Sequence, residues 1–154
     1  MSSIILQYLL FACYTALGFL LIWKIRFFHP VGIPKGWIYA AFGLKIIAGL
    51  LLWFVYTYYY TERQNADIYK YFDDGTILWS VFKESPADFF RILFSFRNEE
   101  ARFDQWYGQM NNWYGIYPTN LYGDGHIMIR FNALVRFISM GSLPVHTLVM
   151  VFLS

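Results

Sequence analysis

The chain has 154 residues, 58% hydrophobic and only 14% charged, with a mean hydropathy of +0.38. That charged share is about half the usual one for a soluble domain and places the chain in the membrane class. The formal charge of +2 gives no argument for nucleic acid, and the single cysteine, Cys13, excludes an intrachain disulfide.

The charges are unevenly placed. Residues 1–60 hold Lys24, Arg26, Lys35 and Lys45 and no acid, whereas every acid falls between Glu62 and Asp124. Ile4 to Trp23 is uncharged. As a helix it would reach about 30 Å, the depth of a bilayer core. The Met-Ser-Ser start has no positive segment and no clear small-residue cleavage site follows, so the run reads as a retained span.

Residues 24–36 form a connector broken by Pro30, Gly32, Pro34 and Gly36. Its three fixed positive charges put it in the cytoplasm by the positive-inside rule, with the N-terminus outside. Trp37 to Tyr60 reads as the second span. Lys45 lies about 12 Å of helix into it. A lysine there either snorkels back to the boundary or meets a carboxylate or phosphate. The Trp53, Tyr56, Tyr58, Tyr59, Tyr60 series reads as an outer aromatic belt.

Residues 61–127 are too polar to span and are expected to lie outside the cell membrane. Asn65 is suited to cap a helix starting at Ala66, with Asp67 in its first turn. On that helix Asp67, Lys70, Tyr71 and Asp74 share a face, and Ile68, Phe72, Leu78, Trp79 and Phe82 supply an apolar stripe expected to rest in the headgroup boundary. Ser85-Pro86 opens a second, phenylalanine-rich helix, interfacial or packed on the spans. Arg97 to Asp104 reads as a solvated charge cluster. Gln105 to Gly125 has turn chemistry and many aromatics without a period, and reads as a wet surface able to stack on sugars or as a loop at the headgroups.

His126 to Met140 reads as an amphipathic helix carrying Arg130, Asn132 and Arg136. The two arginines are about 240° apart, so at most one should face a site. Gly141 to Pro144 breaks that helix, and Val145 to Leu153 begins another apolar segment. The segment is at the short limit for a span, so the chain is expected to be the N-terminal part of a longer polytopic protein. The expected fold is therefore an all-α membrane protein with two transmembrane helices, a long extracytoplasmic segment with interfacial helices, and the start of a third span.

No nucleotide-binding loop, zinc-protease motif or nucleophile elbow occurs, and the histidines at 29, 126 and 146 show no metal spacing. Asp73 and Asp74 form a weak oxygen-ligand signal for a divalent cation, Mg or Mn. Asp67 is suited to general-base work at a membrane boundary, where partial desolvation raises a carboxylate's pKa.

Tyr58-Tyr59-Tyr60, the stretch Asn65-Ala66-Asp67-Ile68-Tyr69-Lys70-Tyr71-Phe72 and the helix around Ile129-Arg130-Phe131-Asn132-Ala133-Leu134 together resemble the N-terminal third of bacterial GT-C-type membrane glycosyltransferases. The resemblance implies an inner-membrane enzyme that moves a sugar from a polyprenyl-phosphate carrier to an extracytoplasmic acceptor. It implies Asp67 as the catalytic carboxylate, Tyr69 beside it in the substrate site, and Arg130 on the donor's phosphate. Lys45 is a second candidate for that phosphate. Membrane polysaccharide polymerases carry a similar loop. A non-catalytic membrane subunit or assembly factor, with the aromatic loop as a docking surface, is the alternative outside enzymology.

Overall fold

The computed structural model describes residues 4–60, 66–96, 100–114 and 125–154; the side chains of Ile4, Asp67 and Ile68 lie outside that description. Among the described residues every regular element is helical: α1 (Ile4–Lys24), α2 (Lys35–Tyr58), α3 (Asp67–Glu84), α4 (Pro86–Leu93), α5 (Asp104–Tyr107), α6 (Gly125–Ser139) and α7 (Leu143–Leu153). Two of them, α1 and α2, are long and apolar enough to cross a membrane. The chain divides into two units, Met1–Tyr59 with Ser139–Ser154, and Tyr60–Ile138.

In the first unit, α1 and α2 are 21 and 24 residues long, or about 32 and 36 Å. The break between them uses Gly32 in the left-handed region (φ 90°) and starts α2 directly after Pro34. Ile22, Phe42 and Leu148 form the buried centre, with Phe19 edge-on to Phe42 at 5.0 Å. Helix α7 packs on both α1 and α2. Gly49 makes the close approach possible: a Cβ there would stand 2.8 Å from Val151 Cγ2. Lys45 is exposed, and its Nζ donates to Ser154 Oγ at 3.5 Å. Helix α7 has 11 residues, about 16 Å of rise, too short to cross a bilayer by itself. Before it, Met140 and Gly141 both take positive φ (51° and 76°) and end α6.

The second unit has its own core. Leu78 and Val81 of α3, Phe89 and Ile92 of α4, Phe103, Trp106 of α5, and Ile129 and Ala133 of α6 are buried together. Ser85 Oγ accepts the Asp88 N–H at 3.4 Å, and Pro86 takes the first helical position, so α4 starts as its sequence dictates. Helix α3 has Ala66 at its N-cap and no capping side chain; Asn65 lies outside the described residues. Of its apolar stripe, Trp79 and Phe82 are half-buried and the Ile68 side chain lies outside the described residues. Phe72, Leu78 and Val81 are buried against the other helices of this unit. The charge cluster is also partly structural: Arg102 reaches Asp88 at 2.9 Å and Glu100 at 2.7 Å. The Gln105–Gly125 stretch departs from the wet-surface reading. Trp106, Tyr107, Met110 and Trp113 are buried, and Trp106 Nε1 donates to Glu84 Oε2 at 3.3 Å. Residues 115–124, with Pro118 and Asp124, lie outside the described residues.

Helices α3 and α6 meet backbone to backbone at Gly75. A Cβ there would stand 3.0 Å from Asn132 Cβ and 3.1 Å from the Ala133 nitrogen. Alanine would gain about 1 kcal/mol of helix propensity. The overpacking it forces costs about 1–3 kcal/mol, and here the neighbour that must yield is backbone. Gly75→Ala is therefore expected to lower the denaturant midpoint of this unit, read by tryptophan fluorescence; a raised midpoint would show that the helices separate freely.

Candidate functional site

Helix α6 carries the polar side chains of interest. His126 and Arg130 are one turn apart on one flank, and both lie against Trp113. The Trp113 indole stacks on Tyr107 at 4.3 Å (8° between planes) and on His126 at 4.1 Å (18°). Two rings that close and that parallel cannot share one face, so Trp113 is sandwiched. His126 Nε2–H donates to the Trp113 carbonyl, which fixes the imidazole's plane. Burial pushes the His126 pKa down and the carbonyl bond opposes that shift; the Arg130 charge adds to the lowering.

Arg130 is the unusual member. Its guanidinium lies 5.4 Å from the Trp113 ring centre, a cation–π distance. It is half-buried, and burial lowers its pKa. Its Nε is buried without a hydrogen-bond acceptor, and no carboxylate of the described residues pairs with it. A cation taken partly out of water without an anion is costly.

Arg136 is half-buried too. Its Nη1 donates to Thr76 Oγ1 at 2.6 Å, and its guanidinium covers the Phe72 ring at 5.0 Å. Burial lowers its pKa, and the charge of Asp73 opposes the shift. The two arginines flank one buried face of α6, which the 240° spacing allows because the short way round is about 120°. They serve different neighbours: Arg136 donates to Thr76, and the Arg130 Nε has no partner among the described residues.

The acids fall otherwise than the sequence reading placed them. Asp74 is fully buried and accepts three hydrogen bonds, from the Asn111 N–H at 3.0 Å, the Asn112 N–H at 2.9 Å and Asn112 Nδ2 at 2.8 Å. It ties α3 to the segment after α5 and has no open side for a cation. Asp73 is half-buried beside Arg136. Among the described residues no three His, Cys, Asp or Glu side chains gather as metal ligands, so the Asp73–Asp74 cation site is not formed by them. Tyr69 is buried rather than presented on an open surface. Asp67 opens α3, and its side chain lies outside the described residues. Lys45 belongs to the other unit.

Sequence reasoning passed over Trp113, Tyr107 and His126. The four-residue spacing of His126 and Arg130 was an available signal for a shared flank; nothing local marked Trp113 as their support.

Among the described residues the chain is thus all-helical, with two candidate membrane spans and a second helical unit holding a half-buried arginine whose Nε has no partner there. Comparison with protein-family models, curated proteins and solved structures finds no match for this chain.

Proposed function

We propose that this chain belongs to a membrane glycosyltransferase that moves a sugar from a polyprenyl-phosphate carrier to an extracytoplasmic acceptor. The observation that carries the reading is Arg130, a half-buried cation with an unsatisfied Nε and no carboxylate partner among the described residues. A phosphate would satisfy it through charge-assisted hydrogen bonds. The two candidate spans supply the bilayer that a polyprenyl tail requires.

In this reading the cytoplasmic connector is 24–36, and the N-terminus and residues 61–127 are outside. The likeness of the Asp67-Ile68-Tyr69 stretch to GT-C-type enzymes gives Asp67 its role. The Asp67 carboxylate takes the proton of the acceptor hydroxyl. The acceptor oxygen bonds to the anomeric carbon as the bond from that carbon to the phosphate oxygen breaks. The electron pair leaves on the carrier phosphate, whose charge Arg130 stabilises.

The test is transfer of a labelled sugar from polyprenyl phosphate by the natural full-length protein in vesicles. Asp67→Asn is expected to keep carrier binding and to lose turnover by about a hundredfold or more. Unchanged turnover at normal expression would overturn the role. Absence of both transfer and carrier binding in the unaltered protein would favour the non-catalytic subunit.

A further inference from the structure

Helix α6 is polarised in the opposite sense to a helix that faces water. Its outward stripe is Ile127, Phe131, Leu134 and Ile138, respectively 73, 38, 44 and 49% exposed. These positions follow the spacing i, i+4, i+7, i+11 and fall within about 60° of arc. The polar side chains His126, Arg130, Asn132 and Arg136 are all turned to the protein or its backbone. His126 and Arg130 lie on Trp113, Asn132 Nδ2 donates to the Met128 carbonyl at 2.7 Å, and Arg136 donates to Thr76. Helix α6 also buries Ile129, Ala133 and Val135, so it is apolar inward and outward, whereas a helix on the surface of a soluble domain wets a polar stripe.

The apolar face continues onto α4. Phe137 of α6 packs edge-on to Phe82 at 4.9 Å; Phe82 meets Phe90 at 6.3 Å, and Phe90 stacks with the exposed Phe94 at 6.3 Å. We infer that the outward face of α6, extended by Phe90 and Phe94, is seated in the acyl-chain boundary of a bilayer. Two observations choose lipid as the occupant. The arrangement keeps polar side chains off the outward face: Ile127, Met128, Phe131, Leu134, Phe137 and Ile138 are the exposed residues of α6, and all are apolar, as hydrocarbon demands. Moreover, α6 runs within three residues, Met140 to Ser142, into α7 of the unit that holds both candidate spans, which keeps a membrane within reach. Helix α6 has 15 residues, about 22 Å, so it lies in the boundary rather than crossing it. This inference is independent of sugar transfer.

The experiment labels one cysteine at a time with an environment-sensitive fluorophore in the Cys13→Ser background. Leu134→Cys reports on the α6 face, and Gln105→Cys reports on an exposed position of α5. The protein is reconstituted in phosphatidylcholine vesicles with or without bromine on the acyl chains. The label at 134 is expected to lose about half or more of its emission to brominated chains, and the label at 105 to lose none. Three results would overturn the inference. One is equal quenching at both positions. Another is a water-like, unquenched spectrum at 134. The third is a blue-shifted but unquenched spectrum there, which would mean that protein covers the face.

Discussion

Replacing Asp74 with alanine is expected to unfold the unit formed by residues 60–138. The Asp74 side chain is fully buried and accepts from two consecutive backbone N–H groups and one carboxamide, 37 and 38 residues away in sequence. Alanine would take the acceptor from all three donors, on Asn111 and the half-buried Asn112. Each orphaned donor costs about 1–3 kcal/mol, and hydrogen bonds to a charged acceptor lie at the upper end. The combined loss of about 3–5 kcal/mol is comparable with the whole stability of a small domain. Asparagine would not rescue the site. One of its two terminal atoms is an NH₂, which would face a donor where the carboxylate presents an oxygen. Asp73→Ala is the control, since that side chain is half-buried rather than fully buried and its charge raises the Arg136 pKa. Urea unfolding in detergent, followed by tryptophan emission, should show a large midpoint loss for both Asp74 variants and a small one for Asp73→Ala. Equal midpoints for Asp74→Ala and the parent would remove Asp74 from the fold's framework.

This contrast shows what could be read from the residues and what could not. Features set by neighbours in sequence were legible. The uncharged run after Ile4, the breakers between Pro30 and Gly36, the Ser85-Pro86 start of α4 and the helix carrying Arg130 each depend on contacts within about a turn of helix. Features set by distant partners were not. Asp73 and Asp74 look alike in sequence, but Asp74 is made structural by Asn111 and Asn112. The stripe of α3 has the same 3.6-residue period whether it rests on a membrane or on a protein core, and only the presence of α4, α5 and α6 decides. Trp106, Tyr107, Met110 and Trp113 show no period because α5 ends at Tyr107 and the chain after it is irregular. The polarity of α6 was visible as an amphipathic pattern, but its sense was not. Which face meets protein depends on Trp113 and Thr76, whose positions no local spacing gives.

Arg130→Met is expected to separate binding from stability. Methionine keeps an unbranched apolar side chain against Trp113 while removing the charge. If Arg130 were a structural cation, its loss would strip a partner from the fold and lower the unfolding midpoint. No described carboxylate pairs with it, and its buried Nε–H donates to no acceptor among the described residues. Removing such a charge should therefore leave the midpoint unchanged or raise it, because the desolvation penalty goes with it. Binding should respond in the opposite direction. A charge-assisted contact to phosphate contributes about 1.5–3 kcal/mol, so affinity for polyprenyl phosphate in vesicles should fall by about ten- to a hundredfold. Arg130→Lys should recover only part of that loss, because an ammonium cannot reproduce the paired donors of a guanidinium. Arg136→Met should behave otherwise: Thr76 and Phe72 lose a partner, and the midpoint falls. A midpoint loss in Arg130→Met with unchanged carrier binding would reassign Arg130 to the fold and remove the main support for a phosphate at this site.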